Sequence, residues 1–223
     1  MYCRATCRGR LKKRKMKRIA LSVTVILVLI CTVSCGGSLQ KVYPVDIETG
    51  TEADQTVIFV DPDWPYYEKA DELAGAATDV FSGIVTGISF EIIDLMTGEP
   101  DRDPASDAES RMLYTVYTVQ ITECYKGDGK GQAAIYKIGG LMGYNMKYQY
   151  DLMEAAGLLG PMSNSIPVSG LNSASPAAGK EYLFCVKSSS GGLLYIVNPS
   201  QFVHDVGSSN AKAIIKACEK SAG

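Results

Sequence analysis

Few side chains in this chain have the type and spacing to do chemistry. His204 is the only histidine. It lies between Val203 and Asp205 in a segment that reads as a strand, where neighbouring residues point to opposite faces. A Ser-His-Asp relay would need partners from elsewhere, and no G-x-S-x-G elbow is present. Ser209-Asn210-Ala211-Lys212 has the S-x-x-K spacing of an acyl-serine site, but no K-T-G or S-D-N accompanies it. Ser208 or Ser209 as a helix N-cap accounts for the same residues. Asp101, Asp103, Asp107 and Glu109 are hard oxygen donors that would suit Ca²⁺. The glycine of an EF-hand loop is missing at the sixth position, so the stretch reads as a solvated acidic loop. Lys126 to Gly131, KGDGKG, lacks the GK[ST] ending of a phosphate loop and joins two strand-like segments, which makes it a hairpin turn. These residues give no catalytic set, no metal ligands and no cofactor site.

The N-terminal stretch is more informative. Residues 1–34 carry nine of the 22 Lys and Arg and no Asp or Glu. Ile19 to Val33 follows as fifteen residues without a charge, a positive region leading into an apolar one. A membrane-spanning helix needs about 20 apolar residues. The run ends in Thr32-Val33-Ser34-Cys35-Gly36. This resembles the lipobox of bacterial lipoproteins. The resemblance implies that Cys35 is alkylated by diacylglycerol and becomes the new N-terminus, with small Ser34 admitted before the cut. Thr32 stands where Leu is usual. A start at Met16 would give a signal of ordinary length. The competing reading is an uncleaved N-terminal anchor. As a lipoprotein the chain is expected outside the cytoplasm, held on the bacterial cell membrane by the acyl chains (palmitate and its like) on Cys35.

The remainder has 13 basic and 24 acidic side chains, a net of −11. Such a body repels phosphate backbones, and no nucleic-acid partner is expected. After Cys35 three cysteines remain: Cys124, Cys185 and Cys218. They form neither a disulfide framework nor a zinc set. They read as small core residues, with a Cys124–Cys185 bond across a sheet as the alternative.

The elements that must position any site are mostly strands. Residues 35–55 read as a flexible tether. Val57 to Val60 reads as a short strand, 61–65 as a proline-bounded loop, and Tyr67 to Ala77 as a helix with Ala70, Leu73, Ala74 and Ala77 on one stripe. Val80 to Ile93 reads as a strand bent at Gly83 and Gly87. Met112 to Tyr125 alternates with period two, Tyr117, Val119 and Ile121 on one face. Gln132 to Ile138 pairs back. Residues 139–179 read as an insertion with a helix near Tyr148 to Leu159 and a loop after it. Glu181 to Ser188, Leu193 to Val197 and Phe202 to Val206 read as a closing meander. Ser209 to Ser221 reads as an amphipathic helix.

The expected fold is mainly β (α+β): a small OB-like antiparallel barrel of five or six strands with flanking helices. The domain layout is 1–34 signal peptide, 35–55 tether, 56–207 barrel with its insertion, and 208–223 C-terminal helix. Ala77-Thr78-Asp79-Val80-Phe81-Ser82-Gly83-Ile84-Val85, Tyr114 to Val119, Tyr125-Lys126-Gly127, Gly139-Gly140 and Gly179-Lys180-Glu181-Tyr182-Leu183-Phe184 together are similar to a layout found in small exported bacterial domains. Those resemble the netrin-like OB barrel of the tissue inhibitors of metalloproteinases. In those inhibitors a free N-terminal Cys chelates the protease zinc. A lipid-bearing Cys35 some twenty residues ahead of the barrel does not fit that role.

The functional expectation is a lipid-anchored extracytoplasmic binding module without catalysis. The alternative is a cell-envelope hydrolase or hydrolase inhibitor. The membrane is one expected partner, through the lipid; an envelope protein or glycan is the other. Tyr144, Tyr148 and Tyr150 crowd the insertion beside Met142, Met146 and Met153, and are the expected contact surface. On this reading, deleting 141–175 would leave a folded barrel without its partner.

Overall fold

A computed structural model of the protein describes residues 56–60, 63–101, 103, 105, 107–159, 165–169, 173–189 and 191–221. All of them fall in the unit Val42–Gly223. The signal segment, Cys35 and the tether lie outside the described residues.

The protein is mainly β. Strands β1 (Thr56–Val60), β2 (Asp79–Asp94), β3 (Arg111–Lys126), β4 (Gln132–Ile138), β5 (Ser165–Ser169), β6 (Glu181–Ser188), β7 (Leu194–Ile196) and β8 (Val203–Asp205) are joined by helices α1 (Ala70–Ala76), α2 (Met146–Ala155) and α3 (Ser209–Ser221). Six strands form a mixed sheet in the order β2-β3-β4-β7-β6-β8, and β2 also pairs with β6. Antiparallel pairing throughout was the expectation, and β4–β7 departs from it. The cause is directional. Strands β4, β3, β2, β6 and β7 alternate in direction through four antiparallel junctions. β4 and β7 therefore run the same way and can meet only in parallel.

Glycine sets the bends in β2. The β2–β3 register shifts at Ser82/Gly83 and again at Val85/Gly87. A Cβ on Gly83 would lie 2.4 Å from the Val119 side chain and 2.8 Å from the Gln120 carbonyl. Only glycine lets the strands approach that closely. The bend lets β2 pair with β3 along its length and with β6 at its start.

The main core lies under one sheet face: Phe81, Ile92, Leu113, Tyr117, Ile135, Leu183 and Phe184 are fully buried. Helix α3 adds Ala211, Ile214 and Cys218. The Ser208 hydroxyl accepts the Ala211 amide at 3.1 Å, so Ser208 is the cap of that helix. Lys126 closes the far end of α1. Its ammonium donates to the carbonyls of Ala74 (2.7 Å) and Ala77 (2.6 Å), where a cation complements the carbonyl end of a helix.

The insertion differs from its expected form. Helix α2 starts two residues early, because Asn145 caps it from a left-handed backbone (φ 37°) and accepts the Tyr148 amide. Residues 165–169, expected as loop, form β5, parallel to β1. Pro167 does not prevent this: its carbonyl accepts the Gly140 amide at 2.7 Å, and an edge position needs no donor from it. Ile166 and Val168 alternate into the core. With Leu141, Leu152 and Met153 they make the insertion part of the main core. Deleting 141–175 would remove core side chains and not a detachable lid.

Gln149 ties helix α2 to the segment that leads into it. Fully buried, it accepts the Leu141 amide at 3.0 Å, donates to the Leu141 carbonyl at 2.9 Å, and donates to the Tyr144 carbonyl. A Cβ on Gly140 would sit 2.1 Å from the Gln149 amide oxygen. Gly140 is therefore fixed by packing.

Candidate functional site

The second face of the sheet carries a separate cluster. Register places Ser89 opposite Val116, Val116 opposite Tyr136, and Tyr136 opposite Tyr195. This row crosses β2, β3, β4 and β7. Glu91 and Tyr114 form the next rung of β2 and β3. Ile93, Tyr114, Val116 and Tyr136 are buried there, with Tyr195 partly covered against them. The row explains why β3 is buried on both faces near its start: Leu113 and Tyr117 face the main core, Tyr114 and Val116 the cluster.

Tyr195 touches both of the other tyrosines. Tyr195 meets Tyr114 nearly edge-on, with ring centres 5.9 Å apart, and Tyr136 at 6.0 Å. Both separations lie in the range of favourable aromatic pairs. Burial pushes the Tyr114 hydroxyl up to about 12. Tyr136 is also raised to about 12, first by burial and then by the Glu91 carboxylate and Tyr195. Both hydroxyls stay protonated near neutrality and can donate.

A cleft of about 280 Å³ opens over this trio. Trp64 forms one wall, and Lys187, Ser188 and Ser189 lie along its lining with Ile138 and Ile196. Trp64 precedes α1 on a clamped segment. Asn198 donates to the Pro65 carbonyl (2.9 Å), while Gln201 accepts the Tyr67 amide (3.0 Å) and donates to the Tyr67 carbonyl (2.7 Å). The indole N–H is buried and has no acceptor among the described residues. Buried donors are rarely left so. Lys187 lies opposite Tyr195 in the β6–β7 pair, and a tight turn at Ser189 to Leu193 (Ser189 amide to Leu193 carbonyl, 2.9 Å) sets that pair.

The residues singled out in the sequence lie elsewhere. Tyr144, Tyr148 and Tyr150 are half-buried and pack against the main core. His204 is half-buried in β8. Its Nε2 lies 3.0 Å from the Gln201 carbonyl, and burial lowers its pKa despite that contact. Asp101, Asp103 and Asp107 sit on the β2–β3 loop, where the Asp101, Asp103 and Asp107 carboxylates accept nearby backbone amides. Among the described residues no group of His, Cys, Asp or Glu is arranged to hold a metal ion, and no helix is long and apolar enough to cross a membrane.

The cysteines divide. Cys185 and Cys218 are buried, as core residues should be; Cys124 is exposed, against expectation. The cause is that β3 runs past the core, its residues 122–124 lying in solvent. All three thiols are free, so Cys124 and Cys185 are not bonded. Burial pushes the Cys185 thiol up to about 12, which leaves it unreactive near neutrality.

One buried cation stands out. Lys137 is 1% exposed. Its ammonium donates to the Ala174 carbonyl at 3.1 Å, and burial pushes its pKa down to about 8.

The cleft residues Trp64, Tyr114, Tyr136 and Tyr195 were not foreseen from sequence. A signal was present: Met112, Tyr114 and Val116 are apolar at one parity of β3 while Leu113 and Tyr117 are apolar at the other, so neither face could be left to water. Compared with protein-family models and with curated protein sequences, the chain matches none.

Proposed function

We propose that this chain is a lipid-anchored, extracytoplasmic binding module without catalysis, and that the Trp64–Tyr114–Tyr136–Tyr195 cleft is its contact surface. Cys35 carries the diacylglycerol, whose two acyl chains suffice for stable anchoring where one is marginal. The scaffold is a closed, OB-like barrel resembling the netrin-like domains. The pairing circuit β2–β3–β4–β7–β6 and back to β2 supports this reading.

The observation that carries the proposal is an open cleft lined by four aromatic side chains, Trp64, Tyr114, Tyr136 and Tyr195. Trp and Tyr are the side chains on which interfaces most often depend. This reading puts the contact surface at Trp64, Tyr114, Tyr136 and Tyr195 in place of the insertion tyrosines, because a cleft opens over the former. The address is tested by the intact mass of the protein from a bacterial membrane fraction, beside Cys35→Ala. A mass for 35–223 plus diacylglycerol, lost in the variant, is expected. A mass retaining residues before Cys35 would make that segment an uncleaved anchor.

A further inference from the structure

We infer that the cleft takes a single pyranose ring at the end of a glycan; this inference rests on the binding-module reading above. Size is the first argument. At about 280 Å³ the cleft is at the small end of ligand cavities, which run from about 300 to 1,000 Å³. It suits one ring. An extended peptide needs a row of grooves, and here the aromatic side chains gather in one cup.

Surface chemistry is the second. A pyranose has a face of C–H groups and an edge of hydroxyls. The C–H hydrogens carry slight positive charge and suit the negative face of an aromatic ring. Trp64 and the Tyr195 group supply such rings. The hydroxyl edge needs donors and acceptors. Lys187 and Ser189 are lining residues of the same cleft; the Ser189 hydroxyl accepts the Leu193 amide and keeps its own proton to donate. Among the described lining residues only Lys187 is a basic or acidic type, and a basic side chain disfavours a bare cation.

Trp64 is the only tryptophan, so its emission reports the cleft directly. The full chain in detergent micelles would be titrated with N-acetylglucosamine, its β-1,4 disaccharide, the glucose disaccharide of the same linkage, choline, and a ten-residue proline peptide. The expected result is a saturable emission change with at least one sugar. Tyr195→Ala should weaken it tenfold or more at unchanged melting temperature, Tyr195→Phe should weaken it less, and Tyr148→Ala should leave it intact. No saturable change with any of the three sugars overturns the inference. A response to the peptide or to choline alone also overturns it, while the binding-module reading stands. A sugar response that Tyr195→Ala leaves intact overturns both.

Discussion

The protein has two tyrosine-rich regions, and they are built differently. In the first, Tyr148 and Tyr150 on the insertion helix and Tyr144 just before it pack against the main core that holds Tyr117. The Tyr117 ring is fully buried, and Gln149 pins the segment through the Leu141 and Tyr144 backbone. In the second, Tyr114, Tyr136 and Tyr195 stand on three adjacent strands under an open cleft. Both regions use Tyr for its large apolar body and polar tip. The first is closed by its own chain; the second opens to a cleft. Crowding of tyrosine in sequence marks packing on the main core in one region, and spacing across strands marks a second buried row, with Tyr195 at its partly open end, in the other.

Substitutions in the two regions should separate accordingly. The largest effect is expected for Tyr117→Ala, a loss of about 3–5 kcal/mol as for other buried aromatic truncations, read by urea unfolding. A loss below about 1 kcal/mol would place Tyr117 outside the core and break the comparison. Next is Lys137, beneath the Ala174 carbonyl of the same insertion. Its folded pKa of about 8 lies below the ordinary 10.5, so the unfolded chain binds more protons between those values. Stability should rise with pH from about 8 to 10.5. Tyr114 and Tyr136 act with opposite sign above their ordinary 10.0, since their folded values are about 12; stability should fall as pH climbs from 10 to 12. Lys137→Met should remove the rise, about 3 kcal/mol across its window, and keep the fall. A parallel rise in wild type and variant would show that the ammonium does not carry it.

Gln149→Ala is expected to cost about 1–3 kcal/mol, because it strands the buried Leu141 amide and carbonyl; a neutral melting curve would mean that water replaces the side chain. The smallest stability effect, below about 1 kcal/mol, is expected for Tyr195→Ala on the open side. That variant should instead lose ligand, which sharpens the contrast.

Much of the strand layout was legible because its signals are local. The period-two run from Tyr117 to Thr122, the turn KGDGKG and the stripe Ala211, Ile214, Cys218 each declare an element within a few residues. Gly83 announced its bend, since a glycine inside an apolar β-branched run has few other uses. β5 was hidden by Pro167, although Ile166 and Val168 alternate as strand residues do. Its role depends on a partner more than a hundred residues away. The parallel β4–β7 junction follows from the directions of five strands together, so no segment alone encodes it. The cleft was illegible for the same reason: Trp64, Tyr114, Tyr136 and Tyr195 span 132 positions and meet only through register. The exposure of Cys124 likewise depends on how far β3 outruns the core.

The most direct test of the contrast uses a photoreactive phenylalanine analogue placed at position 195 or at position 148, expressed on intact bacterial cells and irradiated. Adducts with envelope material at position 195, and none at 148, are the expected result. Adducts at 148 with none at 195 would return the contact surface to the insertion and contradict the account.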